Sequence, residues 1–408
     1  MVGKQTRGSV SSRDRMLSAI AGDGGAITPC SFMIFTALAR RCRGYRELAI
    51  AEMELGLDAR VPIADLPVRF APEVRVAERV EIVSDGIPQL LHRTYETPAG
   101  LLMGSVRRTE DWPHGDRLPL FGDHIAPRAT RFLVTGPQDL GPLRHLLAEP
   151  TADDIACFRS EAAARARFAD DHGLLLTGGW DAARRPATED RGLVGSDYGT
   201  GTIVDALMWL CGATQPLLWA YDDPSFLAEL ISQLEAYNRR RLEIQLETGV
   251  RLIFHRGWYE GTEFWSPRLY RQFVFPALRR EAELCHQAGA YLAYILTSGM
   301  LPIADMILES GLDVVVGIDP GEGKATTLDA VRSTLGGRVG LWGGVSGPLT
   351  IERGTEEEVR AAVEAAVSSL APTGRLILSP VDNVTEPTPV AWRNVEVLVD
   401  TWRRMTEG

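Results

Sequence analysis

From residue 224 onward, helical and strand-like periods of apolar residues take turns. Asp223 and Pro224 open an amphipathic helical stretch that runs to about Glu247, and VRLIFH (250–255) then reads as a short apolar strand. Ser266 and Pro267 cap and start a helix that reaches Gly289. AYLAYIL (290–296) is followed by a helix ending at Gly311, and DVVVGID (313–319) by TTLDAVRSTLG. RVGLWGGV (338–345) precedes a helix capped by Thr355 and Glu358, and RLILSPV (375–381) a final helix through Trp402. Strands separated by helices of this length are parallel and joined by right-handed crossovers. Continuous apolar runs such as DVVVGID place these strands under cover on both faces.

The first half adds candidate strands in ITPCSFMIF (27–35), GLLLTGG (173–179) and RGLVGSD (191–197), about the eight that a closed barrel needs. No GxGxxG opens a helix after the first strand, so a dinucleotide-binding open sheet lacks its fingerprint. PGEGKATT (320–327) is read as an ordinary βα loop, because Ile318 stands where a phosphate loop needs its first glycine. Residues 90 to 150 break the rhythm: HRTYETPAGLLMGSVRRTEDWP reads as a hairpin around Pro98, Ala99 and Gly100, and prolines recur after it. The expected fold is α/β, a single (β/α)8 TIM barrel over residues 1–408, with an N-terminal extension of about 1–25 and an insertion of about 90–150 over the barrel mouth.

Composition narrows the partners. Hydrophobic residues at 45% and charged residues at 24% are ordinary for a globular protein, and the formal charge of -11 leaves no basic stripe for a phosphate backbone. A small-molecule substrate is expected, with no nucleic acid and no membrane, and a homodimer is an allowed assembly. The start MVGKQTRGSVSSRDRML lacks the apolar core of a signal peptide, so a cytoplasmic location is expected. Cys30, Cys42, Cys157, Cys211 and Cys285 are odd in number, scattered and never in a CxxC pair, which predicts buried free thiols.

The chemistry concentrates in GVRLIFHRGWYEGTEFW (249–265). An apolar strand there ends in His255, Arg256, Trp258, Tyr259, Glu260, Glu263 and Trp265, groups that ionise, donate protons and stack. At the C-terminal end of a barrel strand such a cluster is read as a site, with His255 and Glu260 as catalytic candidates alongside Asp382 after the last strand. Arg256, Trp258, Tyr259, Glu263 and Trp265 are assigned to substrate binding. Asp197 and Tyr198 in GSDYGTG, Ser298 and Trp342 are added to them. No metal or cofactor is assigned.

The order of segments resembles the superfamily that unites uroporphyrinogen decarboxylase with the corrinoid and coenzyme M methyltransferases. FWSPRLYRQFVFPALRREAELCHQAG is similar to its SP-helix and HxxG ending, GLDVVVGIDP to the next strand, LWGGVSGPLTIERGTEEEV to a strand and capped helix, and RLILSPVDNVTEPTPVAWRNV to the last βα unit. SSRDRMLSAIAG resembles the first helix. The resemblance implies the same single (β/α)8 barrel. Two departures matter. Where the methyltransferases carry a zinc-binding HxCG, this chain reads ILTSG, with Leu296 and Ser298 in place of the ligands, and the last strand reads SPVDN where they have another cysteine. Neither leucine nor serine replaces imidazole or thiolate, so a thiol-activating zinc site is not expected. The decarboxylases' RQAGRY is matched only in composition by LARRCRGYREL, with Arg40, Arg41, Arg43 and Tyr45, or these arginines merely decorate a helix.

The expected function is metal-free decarboxylation of a carboxylated aromatic or pyrrolic small molecule, with Glu260 or His255 as the acid and Arg256 holding the carboxylate. The alternatives are a corrinoid-linked methyltransferase or demethylase with a His/carboxylate metal site from His255, Glu260 and Asp382, and a non-catalytic binding barrel.

Overall fold

In the computed structural model the described residues are 10–23, 27–82, 89–179, 203–321 and 326–406. Eleven strands are described among them: β1 (Arg60–Pro62), β2 (Arg75–Glu81), β3 (Gln89–Thr97), β4 (Gly100–Arg108), β5 (Ala129–Arg131), β6 (Leu175–Gly179), β7 (Leu252–Arg256), β8 (Tyr291–Ile295), β9 (Val314–Ile318), β10 (Gly340–Ser346) and β11 (Leu376–Val381). Seven of them form one parallel sheet in the order β1-β6-β7-β8-β9-β10-β11, and β2-β3-β4-β5 form a separate antiparallel sheet. The five strand-helix units read from the second half are present, each within two residues of its expected strand bounds.

The parallel sheet is curled. Phe254 on β7 and Trp342 on β10 have ring centroids 5.5 Å apart, whereas strands three steps apart in a flat sheet lie roughly 14 Å from each other. The guanidinium of Arg60 on β1 lies over both rings, 5.4 and 5.1 Å from their centroids. These three side chains fill the interior, so Trp342 is a core residue, fully buried, with its indole N–H donated to the Ser31 carbonyl at 2.8 Å.

ITPCSFMIF does not form a ladder strand. It makes two isolated parallel bridges to the β11 side, Cys30 to Leu378 and Ile34 to Asn383, and the Cys30 carbonyl accepts from the Asp58 amide just before β1 at 2.7 Å. Side chains have taken the groups a ladder would use. Arg60 donates to the carbonyls of Phe32 at 2.7 Å and Met33 at 2.8 Å, and the Met33 amide donates to the Ser379 hydroxyl at 2.8 Å. RGLVGSD lies outside the described residues, and β1, only three residues long, carries too little pattern to be read from sequence.

The hairpin at Pro98 and Ala99 forms as expected, with Thr97 paired to Gly100, but its sheet begins at Arg75, well before residue 90. The helix after β7 is broken where one continuous helix was expected: Pro267–Leu269 is α-helical, Tyr270–Val274 widens to a π turn, and Phe275–Gln287 resumes. Pro276 has no amide hydrogen to close an i→i−4 bond, which accounts for a change of register at that point. The capping box at Thr355 and Glu358 forms in both directions, at 3.3 and 2.7 Å. Cys30, Cys42, Cys211 and Cys285 are buried free thiols, but Cys157 is exposed, because it lies on a solvent-facing position of the Ala152–His172 helix. No single described helix is long and apolar enough to cross a membrane. The Ile203–Cys211 and Gln215–Asp222 helices reach that composition only together, across a 100° bend.

Candidate active site

Strand β7 reads LIFHR, and alternation sends its last two side chains to opposite faces. Phe254 meets Trp342 in the interior, so His255 faces the helices outside the sheet. Arg256 shares the face of Phe254 and, as the last residue of the strand, extends beyond the sheet's C-terminal end.

On the helix side, His255 is clamped by two carboxylates. Its Nδ1 lies 2.6 Å from Glu281 Oε2, on the Phe275–Gln287 helix, and its Nε2 lies 3.0 Å from Glu260 Oε1. Tyr294, paired with His255 in the β7–β8 register, donates its hydroxyl to Glu260 Oε2 at 2.7 Å and accepts from Tyr270 at 3.3 Å. Gly257 makes this approach feasible, since a Cβ there would sit 2.4 Å from the Tyr294 ring and 3.0 Å from Glu260 Oε2. His255 and Glu260 are 1% exposed and Glu281 9%. Carboxylates accept and do not donate, so an imidazole with both nitrogens on carboxylates is satisfied as an imidazolium. Burial alone would lower the His255 pKa, but Glu281 and Glu260 together hold it well above the ordinary value.

At the strand end, Arg256 is clamped as well, by Asp205 on Nη1 and by Asp123 on Nη2, the latter at 2.5 Å. The Trp258 ring lies 4.0 Å from the guanidinium and the Trp209 ring 5.1 Å, both within cation-π range. Trp209 donates its indole N–H to Asp123 at 3.1 Å, and the Tyr259 amide donates to Asp205 Oδ1 at 3.2 Å. Asp205 is fully buried on the Ile203–Cys211 helix. Burial pushes its pKa up and the Arg256 guanidinium opposes that, while the charges of Asp123 and Glu260 add to the rise, leaving it at about 7. A carboxyl group that keeps its proton near neutral pH is a proton donor in waiting.

The expected site residues are thus divided between two places. His255 and Glu260 meet behind β7, Arg256, Trp258 and Tyr259 meet at its end, and Trp265 is buried with its indole donating to the Tyr259 carbonyl at 3.0 Å. Glu263 is exposed, Ser298 is half-buried after β8, and Asp197 and Tyr198 lie outside the described residues. Asp382 follows β11 on the surface at φ 64, the one described non-glycine residue in the left-handed region. It is not a partner of His255, whose two nitrogens are both committed to glutamates. Asp319, directly after β9, accepts from the Gly321 amide at 2.8 Å. Arg40, Arg41 and Arg43 are surface residues. Arg40 reaches the Thr385 carbonyl at 3.3 Å, Arg41 stacks on Trp392 and Arg43 pairs with Glu47 at 2.9 Å.

Sequence reasoning missed Asp123, Asp205, Glu281 and Tyr294. Asp205 carried a readable signal, a lone acid in the apolar run IVDALMWLC, where an unpaired charge would cost several kcal/mol. The other three sit in contexts where polar residues are unremarkable.

The family model described as Uroporphyrinogen decarboxylase (URO-D) matches residues 201–405. Among solved structures, a methyltransferase from Methanosarcina mazei is similar over 97% of this chain and 99% of its own, at 16% identity and a TM-score of 0.57. A B12-independent methionine synthase from Shewanella sp. W3-18-1 shares 12% identity over 63% of this chain and 90% of its own, at a TM-score of 0.37. No curated protein matches the sequence.

Proposed function

Because the chain belongs to the uroporphyrinogen decarboxylase family, we propose that it is a decarboxylase of a carboxylated aromatic or pyrrolic small molecule, working at the C-terminal end of β7. The observation that carries this reading is the pair of Asp205 and Arg256: a buried carboxyl group that keeps its proton to about pH 7, in contact with a guanidinium that recognises carboxylates. In the reaction the ring takes the Asp205 proton, which creates the electron sink. The carbon–carbon bond to the carboxylate breaks, its electron pair returns to the ring and carbon dioxide leaves. Asp205 then recovers its proton from water. Arg256 holds the carboxylate until the bond breaks, and Trp258 and Tyr259 form the wall beside it.

Under this reading His255 and Glu260 hold the 257–260 turn in place and do not touch substrate. Segment 29–34 takes the eighth position of a (β/α)8 barrel, bonded toward β11 on one side and to Asp58 on the other. The thiol-activating zinc of the related methyltransferases does not fit this chain. Leu296 is a buried apolar side chain, both nitrogens of His255 are committed to glutamates, and among the described residues no group of three or more His, Cys, Asp and Glu side chains is arranged to hold a metal ion.

The test uses aryl and pyrrolyl carboxylates labelled with 13C in the carboxyl group, incubated with the protein in D2O. The expected result is one labelled carbon dioxide released and one deuterium incorporated per turnover, reduced by about a hundredfold or more in Asp205→Asn. Methyl transfer from an aryl methyl ether, with no carbon dioxide from any carboxylate, would replace this reading by the methyltransferase one.

A further inference from the structure

The two carboxylates on Arg256 differ in access. The side chain of Asp205 is 0% exposed and that of Asp123 is 31% exposed, so Asp123 is the one that a ligand from solvent reaches. A guanidinium offers a planar fork of donors suited to a carboxylate, and Asp123 already occupies one of its arms. Asp123 does not belong to the barrel strands. It lies in segment 109–128, between β4 and β5, and that segment has its own anchors: Arg128 donates to the Thr109 hydroxyl at 2.7 Å and pairs with Asp111, and the Trp112 ring packs against His114. The Asp123 carboxylate is bonded to Arg256 and to the Trp209 indole through one oxygen, beside Phe121, which is buried in the core against Trp209 and anchors the segment independently.

We infer that Asp123 is a built-in stand-in for the substrate's carboxylate: a carboxylate ligand binds by displacing Asp123 from Arg256 Nη2, and the displacement frees the turn around Asp123 from the end of β7. This rests on the reading that Arg256 receives the substrate. The exchange is charge for charge. The Nη2 side of Arg256 keeps an anionic partner throughout, and Asp205 keeps a neighbouring negative charge of the kind that sustains its raised pKa. A neutral ligand of the same shape offers no such replacement, because it would leave a buried guanidinium with one partner fewer. Asp123 therefore selects for a carboxylate and keeps the donors covered until one arrives.

Benzoate, with benzamide as the uncharged control, tests this in the intact protein by calorimetry and amide hydrogen exchange. In the unsubstituted chain, saturating benzoate is expected to speed exchange in the turn around Asp123, residues 122–126, and benzamide to leave it unchanged. Removing the competitor in Asp123→Asn is expected to tighten benzoate binding by about tenfold or more while benzamide binding stays the same, with Asp123→Ala giving the same order. Unchanged exchange in the benzoate complex, or benzoate affinity no higher in either folded variant, overturns the inference. The two proposals fail separately. Tighter benzoate binding without carbon dioxide from any carboxylate keeps the competitor and removes the decarboxylase, and carbon dioxide release with unchanged benzoate affinity does the reverse.

Discussion

Two neighbouring residues, His255 and Arg256, each sit between two carboxylates, and the two clusters nevertheless differ in kind. Behind β7, every member of Glu281–His255–Glu260 is at least nine-tenths buried, and the carboxylate oxygens that bond are taken by the imidazole and by Tyr294. At the end of β7, Arg256 has one sealed partner and one that solvent reaches. The first arrangement is closed and fixes the turn between strand and helix. The second has a member that solvent reaches and a carboxyl group whose pKa burial pushes up to about 7. Similar chemistry is sealed in or left open to solvent according to which face of the strand it occupies.

The largest expected effect comes from breaking the sealed cluster. Glu281→Gln removes one charge from a buried ion pair and is expected to destabilise the fold by about 3–5 kcal/mol, read as a fall in the denaturant midpoint. A loss below about 1 kcal/mol would mean the clamp is not structural. The linked pH dependence has a definite sign. His255 has a raised folded-state pKa, so its stabilising contribution is complete below the unfolded value near 6.5 and disappears as pH rises through the folded value.

Next in size is Asp205→Asn, which is expected to lower turnover by about a hundredfold or more with the fold intact. Its pH signature is separable from that of His255. With a folded pKa of about 7 against an ordinary value of 3.8, Asp205 binds its proton more tightly in the native state, so it makes stability fall as pH rises from about 4 to 7. Replacing it by Asn should flatten the stability profile in that window and remove the activity limb near pH 7. A variant whose pH–stability curve overlays the parent's would show that Asp205 titrates normally.

Glu260→Gln sharpens the contrast, since Glu260 belongs to the sealed cluster although its sequence position suggested catalysis. The amide keeps the size and one acceptor for His255, so a measurable loss of stability is expected with turnover within a few-fold of the parent. A hundredfold loss of turnover at unchanged stability would move Glu260 into the chemistry. The smallest effect is expected from Tyr294→Phe, which removes one hydrogen bond to Glu260 and should cost about 1–3 kcal/mol, because a buried carboxylate oxygen loses its donor.

The sequence by itself determined the alternation of helix and strand from residue 224 onward, because apolar period, proline and capping residues are local signals. Asp223 caps through its own side chain, and Thr355 and Glu358 bond each other across one turn. It also located the cluster 255–265, since ionisable groups directly after an apolar strand stand out in any register. Only the tertiary structure decided which face each member serves. His255 and Arg256 are adjacent in sequence, and the curl of the sheet, invisible in a linear pattern, makes one face the helix layer and carries the other past the sheet's end. Their partners come from far along the chain, Asp123 from between β4 and β5, Asp205 from a buried helix and Glu281 from the helix after β7, and no local rule brings such groups together. The same holds for 29–34, which has the composition of a strand but gives its carbonyls to Arg60 and Trp342, a choice fixed by side chains that reach it only once the sheet has curled.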